Sequence, residues 1–285
     1  MNAVHYLNLR ESTNVAKYKK KRARELQHDK FRDTAGKVFD RLGDRLEGKG
    51  KTILYGLLGI LVLALVVGLW VRRSNKQADE AQRAMGRAIS ITSTPLMGDP
   101  SALDPSAPKF SSEQERAQRA IDEFQKVAAK YGDPYRSQAR YFIGTNLLVT
   151  DRAKGITELT EVSKSGNVEA AILARFALAQ AMEADAKLDE AAKLYSEIAA
   201  LNATVVSPET ANVRLAGVYE KQNKKKEAAD ILFNIVEANR TAKDADGTPI
   251  PPSGAAREAT EKLQKVDPDR YAKLTPEAPG GNLPF

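Results

Sequence analysis

The chain has 285 residues, 42% of them hydrophobic and 28% charged, which excludes an intrinsically disordered or fibrous protein. It lacks cysteine, which excludes disulfides and lipoprotein processing. The formal net charge of +7 sits at the amino-terminal end: residues 1–51 carry 14 Lys/Arg against 7 Asp/Glu, whereas residues 74–285 carry 28 against 30. A near-neutral main domain disfavours nucleic acid as its ligand.

Residues 1–51 read as a basic cytoplasmic tail. Its run KYKKKRAR brings together Lys17, Lys19, Lys20, Lys21, Arg22 and Arg24. Such a run suits the anionic lipid of a membrane surface, and a ribosome or RNA contact is the alternative. From about residue 29 to 46, Phe31, Ala35, Val38, Phe39, Leu42 and Leu46 recur at helical spacing, with Arg and Asp opposite. This predicts an amphipathic helix that rests along the membrane surface or packs against a partner helix.

Residues 52–71 contain no charge. As a helix they extend about 30 Å, the thickness of a bilayer hydrocarbon core. Tyr55 and Trp70 stand near the two ends with Lys49, Lys51, Arg72 and Arg73 outside them, as interfacial anchors do. A cleaved signal peptide is a poor fit, because the stretch starts far from the terminus and its exit, VRRSNK, is not a small-x-small cleavage site. A buried core helix is the competing interpretation, and a single uncleaved span is the expectation. Short basic tails stay in the cytoplasm and long carboxy-terminal domains translocate largely regardless of charge. The expected arrangement is a bacterial inner-membrane protein with residues 73–285 in the periplasm. Ala64 and Gly68 form a small-xxx-small pair in the span, which is compatible with a homo-oligomer.

Residues 72–92 continue as a helix, and residues 93–111 form a proline-rich loop (TPLMGDPSALDPSAP). Residues 112–240 read as helices throughout and hold a repeat. Aligning Ala120, Ile156, Ala191 and Ala229 gives steps of 36, 35 and 38 residues. Four residues on lie Phe124, Thr160, Tyr195 and Phe233; twelve residues before three of the four lie Gly144, Ala179 and Gly217. A small residue lets a neighbouring helix approach, and an aromatic ring one turn later fills the space beside it. The linker 241–254, a capping helix at 255–266 and a flexible tail at 267–285 complete the chain.

In these spacings the sequence resembles the tetratricopeptide repeat (TPR), a helix–turn–helix unit of about 34 residues. Residues 172–205 match best, 210–239 also fit, and 137–168 are degenerate at Ile156 and Thr160. The resemblance implies an all-α solenoid whose first helices line a partner-binding groove. Carried over, the groove positions are Gln138, Tyr141, Thr145 and Leu148; Leu173, Phe176, Gln180 and Glu183; and Ala211, Arg214, Val218 and Lys221. The aromatic and aliphatic members among these have ordinary inter-repeat core as their alternative role.

The only histidines, His5 and His28, lie in the amino-terminal tail, so residues 73–285 offer neither imidazole nor thiol. Adjacent carboxylates such as Asp122 and Glu123, or Asp189 and Glu190, point about 100° apart on a helix and do not converge. No phosphate loop, dinucleotide fingerprint or nucleophile elbow is present. These residues predict a binding protein with no enzymatic activity, cofactor or metal. The layout of tail, span and repeat domain, with the junction GLWVRRSNKQADEAQRAMGRAI, resembles the family of the ancillary SecYEG translocon subunit (YfgM-like). That resemblance implies a scaffold near the translocon exit, with the translocon or periplasmic chaperones as partners. An envelope-assembly or cell-division scaffold is the alternative.

Overall fold

The computed structural model describes residues 50–98 and 109–276, with side chains from Leu54 onward. The basic run, the amphipathic stretch 29–46, most of the proline-rich loop and residues 277–285 lie outside the described residues. Ten α-helices occur among the described residues, and no strand beyond the isolated bridges Leu96–Phe110 and Lys243–Pro249. They are α1 (Gly50–Thr92), α2 (Glu113–Lys130), α3 (Tyr135–Thr150), α4 (Arg152–Val162), α5 (Val168–Ala184), α6 (Leu188–Ala199), α7 (Pro208–Lys221), α8 (Lys225–Thr241), α9 (Gly254–Val266) and α10 (Pro268–Tyr271). The chain divides into two compact units, Met1–Ser74 and Asn75–Phe285, and the division falls inside α1.

In the first unit, α1 is long and apolar enough to cross a membrane. Its side chains from Leu54 to Trp70 are all exposed, and none of the apolar window is buried. Among the described residues the segment is therefore not a core helix. No helix boundary separates residues 52–71 from 72–92, which form one helix.

The second unit is an array of helix pairs. The last turns of α1 pack against α2. Then α3 pairs with α4, α5 with α6 and α7 with α8, and α9 closes the array. Side-chain caps start most of these helices: Ser112, Asp151, Asn167, Ser207 and Ser253 each accept the N–H three residues on. Each such cap contributes about 1 kcal/mol. The core runs along the array as a chain of clusters. It starts with Met85 and Ala88 of α1 against Ala120, Phe124 and Ile143. It ends with Val213, Leu232, Ala259 and Leu263.

The repeat lies one residue away from the expected register in two places. In α4 the small residue at the helix crossing is Gly155, not Ile156. A Cβ on Gly155 would lie 2.6 Å from the Leu148 backbone nitrogen, and one on Gly144 would lie 2.8 Å from Leu159 Cγ. Leu159 is fully buried, in place of Thr160. The cause is the turn: Asp151 alone joins α3 to α4, whereas three residues join α5 to α6 and α7 to α8. In α7 and α8, Ala216, Ala228 and Leu232 take the fully buried positions. Gly217 and Phe233 are one residue off and only partly buried. A Cβ on Gly217 would meet nothing closer than Lys262 Nζ at 3.7 Å. Gly217 therefore does not mark a close helix approach. The second helices then repeat as Ala120, Gly155, Ala191 and Ala228, followed four residues later by Phe124, Leu159, Tyr195 and Leu232, all buried.

The two longer turns share one design. Lys187 N–H donates to Met182 O and Ala186 N–H to Glu183 O; Lys224 N–H donates to Tyr219 O and Asn223 N–H to Glu220 O. Both are Schellman closures with a left-handed residue, Ala186 at φ 58° and Asn223 at φ 63°. Asparagine tolerates that conformation, and alanine is strained in it.

Residues 267–276 also depart from the flexible tail expected at 267–285, of which 277–285 lie outside the described residues. Asp267, at φ −148° and ψ 79°, turns α9 into α10 and caps Arg270 N–H. Asp151, at φ −151° and ψ 88°, turns α3 into α4 in the same manner. Arg270 pairs with Asp230 and lies over the Phe233 ring, and Leu274 is buried in the last cluster. The end of the array is thus a fifth helix pair cut short after one turn of its second helix.

Thermal melting of the full chain in detergent micelles, followed by circular dichroism, tests this packing. Gly155→Ala is expected to cost at least about 2 kcal/mol through overpacking, whereas Gly217→Ala is expected to be neutral or stabilising by up to about 1 kcal/mol. Ala186→Gly should stabilise by roughly 1 kcal/mol, since it relieves a left-handed alanine.

Candidate partner-binding surface

The twelve groove positions inferred from the repeat divide by environment. Ala211 and Val218 are completely buried, so they belong to the core. The one-residue shift in α7 accounts for this, because it turns those positions inward. Leu148 and Tyr141 are half-buried against the cluster of Leu159, Ala170, Ala174 and Leu178. Burial pushes the Tyr141 phenol above its ordinary value. Leu173 and Phe176 pack on Ile172, Ile198 and Val206, and the Phe176 ring meets Tyr195 edge-on at 5.6 Å. Gln138 and Thr145 are half-buried, and the Thr145 hydroxyl donates to Phe142 O at 3.0 Å. Gln180, Arg214 and Lys221 are exposed. The apolar groove residues are thus largely spent on inter-repeat packing, and the side that faces solvent is polar.

The repeat-packing residues are placed as follows. Ala120, Phe124, Ala179, Ala191 and Tyr195 are completely buried, Gly144 and Ala229 are buried, and Gly217 and Phe233 are only partly so.

Charged side chains tie successive repeats along the edge where first helices turn into second helices. The Arg152 guanidinium reaches from the second pair to Asp185 at 2.7 Å and to Ala181 O at 2.8 Å. Lys221 of α7 contacts Glu183 of α5 at 2.6 Å, and Gln222 Nε2 donates to Asp189 at 2.8 Å. Lys262 of α9 approaches Glu220 at 3.6 Å, and away from this edge, midway along α7, Arg214 approaches Glu258 of α9 at 3.9 Å. Each exposed pair contributes less than about 1 kcal/mol, so the ladder fixes register more than it adds stability. Neither Arg152 nor Asp185 could be found from repeat spacing, because their partnership depends on where two turns meet in space.

Glu183 is the most engaged groove residue. It accepts from the Tyr195 hydroxyl at 3.1 Å and from Lys221. Tyr195 is completely enclosed, so its hydroxyl would be an orphan without this carboxylate. Burial, with the negative charge of Glu183 second, raises the Tyr195 phenol well above its ordinary value. Chemically the surface can donate and accept hydrogen bonds to a polypeptide. Among the described residues no three His, Cys, Asp or Glu side chains gather into a metal-binding group.

No protein-family model matches the chain, and no curated protein matches it. Two solved structures resemble part of it. One is a Podosopora anserina putative kinesin light chain with nearly identical TPR-like repeats, at 14% identity and a TM-score of 0.42, covering 55% of this chain and 81% of that one. The other is a single-substitution variant of the same protein, at 15% identity and a TM-score of 0.43, covering 55% and 80%.

Tyr195 provides a pH test. A phenol whose folded value is raised stabilises the fold below its unfolded value of about 10 and loses that contribution as pH rises above it. The full chain is expected to lose stability steeply above about pH 10. Tyr195→Phe should cost roughly 1–2 kcal/mol at neutral pH by stranding the buried side of Glu183, and should flatten the alkaline slope. Denaturant melts at neutral pH and at about pH 11 measure both effects.

Proposed function

We propose that the chain is a membrane-anchored adaptor whose helical repeat domain binds protein partners and performs no catalysis. The observation that carries this reading is the pairing of two features in one chain. The apolar stretch of α1, of membrane-crossing length, is exposed from Leu54 to Trp70, and a repeated helical hairpin array presents Gln180, Arg214 and Lys221 to solvent from successive first helices. Such arrays bind polypeptides along the face of their first helices.

In the proposed arrangement the amino terminus is cytoplasmic and the array lies on the far side of a bacterial inner membrane. The partners are exported proteins, the translocon or its associated folding factors. The sequence supports this through the basic tail, the flanking arginines and the family resemblance. The absence of His and Cys from residues 73–285 supports binding over imidazole or thiol chemistry.

Affinity purification of the full chain in mild detergent tests the reading. Translocon subunits or extracytoplasmic folding factors are expected with the natural sequence, and at least roughly fivefold less of them for Gln180→Arg combined with Arg214→Glu. Repeated recovery of neither class would overturn the export assignment. Recovery unchanged by the double variant would overturn the binding face.

A further inference from the structure

Gly217 stands inside α7 with no packing reason to be a glycine. Ala216 takes the buried position in the α7–α8 core, and a Cβ on Gly217 would meet only Lys262 Nζ, at 3.7 Å. Glycine is the least favourable residue of a helix interior after proline. What it provides here is room above the α7 backbone, on the side that faces α9. Two cross-helix ion pairs frame that gap, Arg214–Glu258 at 3.9 Å and Lys262–Glu220 at 3.6 Å. Both are beyond hydrogen-bond reach. The Lys262 and Glu220 side chains are nevertheless only 31% and 32% exposed, and Glu220 Oε1 is enclosed and accepts no hydrogen bond. Such a pair has lost water without gaining the hydrogen bonds that would offset the loss. The Lys262 ammonium thus lies over the gap, near the glycine and near the carboxylate it fails to reach.

We propose that this gap seats the main chain of an extended partner polypeptide, with one of its peptide groups over Gly217. This rests on the adaptor reading and adds what the surface recognises in a partner. The peptide C=O accepts from the Lys262 ammonium and the peptide N–H donates to the Glu220 carboxylate, so each charge gains the hydrogen bond it lacks. The four framing charges, Arg214 and Lys262 against Glu220 and Glu258, sum to zero, and the next two along α9, Glu261 and Lys265, cancel as well. Lys221 is spent on Glu183. A neutral group with a donor and an acceptor side by side suits that frame. A phosphate, a carboxylate or an ammonium would meet a like charge on either side of the gap. Arg214 and Glu220 are six residues apart, about 9 Å along the helix, which about three residues of extended chain cover. A Cβ at residue 217 would lift that chain off α7.

The test uses the full chain in detergent micelles and an array of short uncharged peptides, acetylated and amidated at their ends, with acidic and basic peptides beside them. The tightest uncharged binder is then measured by fluorescence anisotropy. Gly217→Ala is expected to weaken it roughly tenfold while leaving the melting temperature unchanged or raised. N-methylation of one backbone amide of the peptide should weaken it by a similar factor of roughly ten, as loss of a hydrogen bond to a charged group does. Gly86→Ala, at another exposed helix glycine with open space around it, should stay within about twofold. Binding untouched by Gly217→Ala, an equal loss in Gly86→Ala, or tolerance of N-methylation at every amide would overturn the proposal. A lowered melting temperature of Gly217→Ala would overturn it too, because the glycine would then be structural. So would an array in which only acidic or only basic peptides bind, or none. Absence of a Gly217-dependent binder with partner recovery intact sinks this proposal alone. A Gly217-dependent binder with neither class of partner recovered sinks the export assignment and leaves the gap.

Discussion

Everything in the repeat domain depends on how closely one helix of a pair can approach the other. At the α3–α4 crossing the backbones come so near that two glycines face each other's helix with no room for a Cβ. Ala179 with Ala191 and Ala216 with Ala228 play the same part in the next two pairs, each completely buried. Because a close pair leaves no space for water, the large side chain one turn later is enclosed in turn, whether Phe124, Leu159, Tyr195 or Leu232. Interiors of this density respond to a single methyl group. Small residues therefore set the geometry, and the large ones supply the buried area.

That geometry has a functional consequence. When first helices pack tightly enough to enclose Tyr195, the residues beside them on the inner face are drawn partly into the core. Phe176, Leu173, Tyr141 and Leu148 are held in this way. What remains for a partner is polar: amide, guanidinium and ammonium groups on successive first helices. A face of that composition favours selectivity over raw affinity.

Much of this was legible in the sequence, and the failures have specific causes. The period of about 36 residues and the burial of Ala120, Ala191 and Tyr195 follow from helical spacing of small and large side chains. The register of the second pair did not, because spacing counts residues while packing counts turns of helix. Asp151 closes a turn in one residue where its neighbours use three, and Gly155 consequently replaces Ile156. The shift in α7 was hidden because Ala216 and Gly217 are both small and adjacent. Ion pairs between turns were invisible for a different reason: Arg152 and Asp185 are far apart in sequence and meet only when the array is stacked. The truncated fifth pair was missed because a tail rich in charge and proline resembles a flexible end, although its Asp267 turn repeats that of Asp151.

The proposed role joins the two units through a single idea, that the apolar helix sets where the array works. A reporter enzyme active only outside the cytoplasm, fused after Phe285 in bacterial cells, tests this most directly. Activity of the reporter, with none when it is fused within the basic tail, is the expected result. A cytoplasmic readout from the carboxy-terminal fusion would contradict both the location and the partners proposed for the domain.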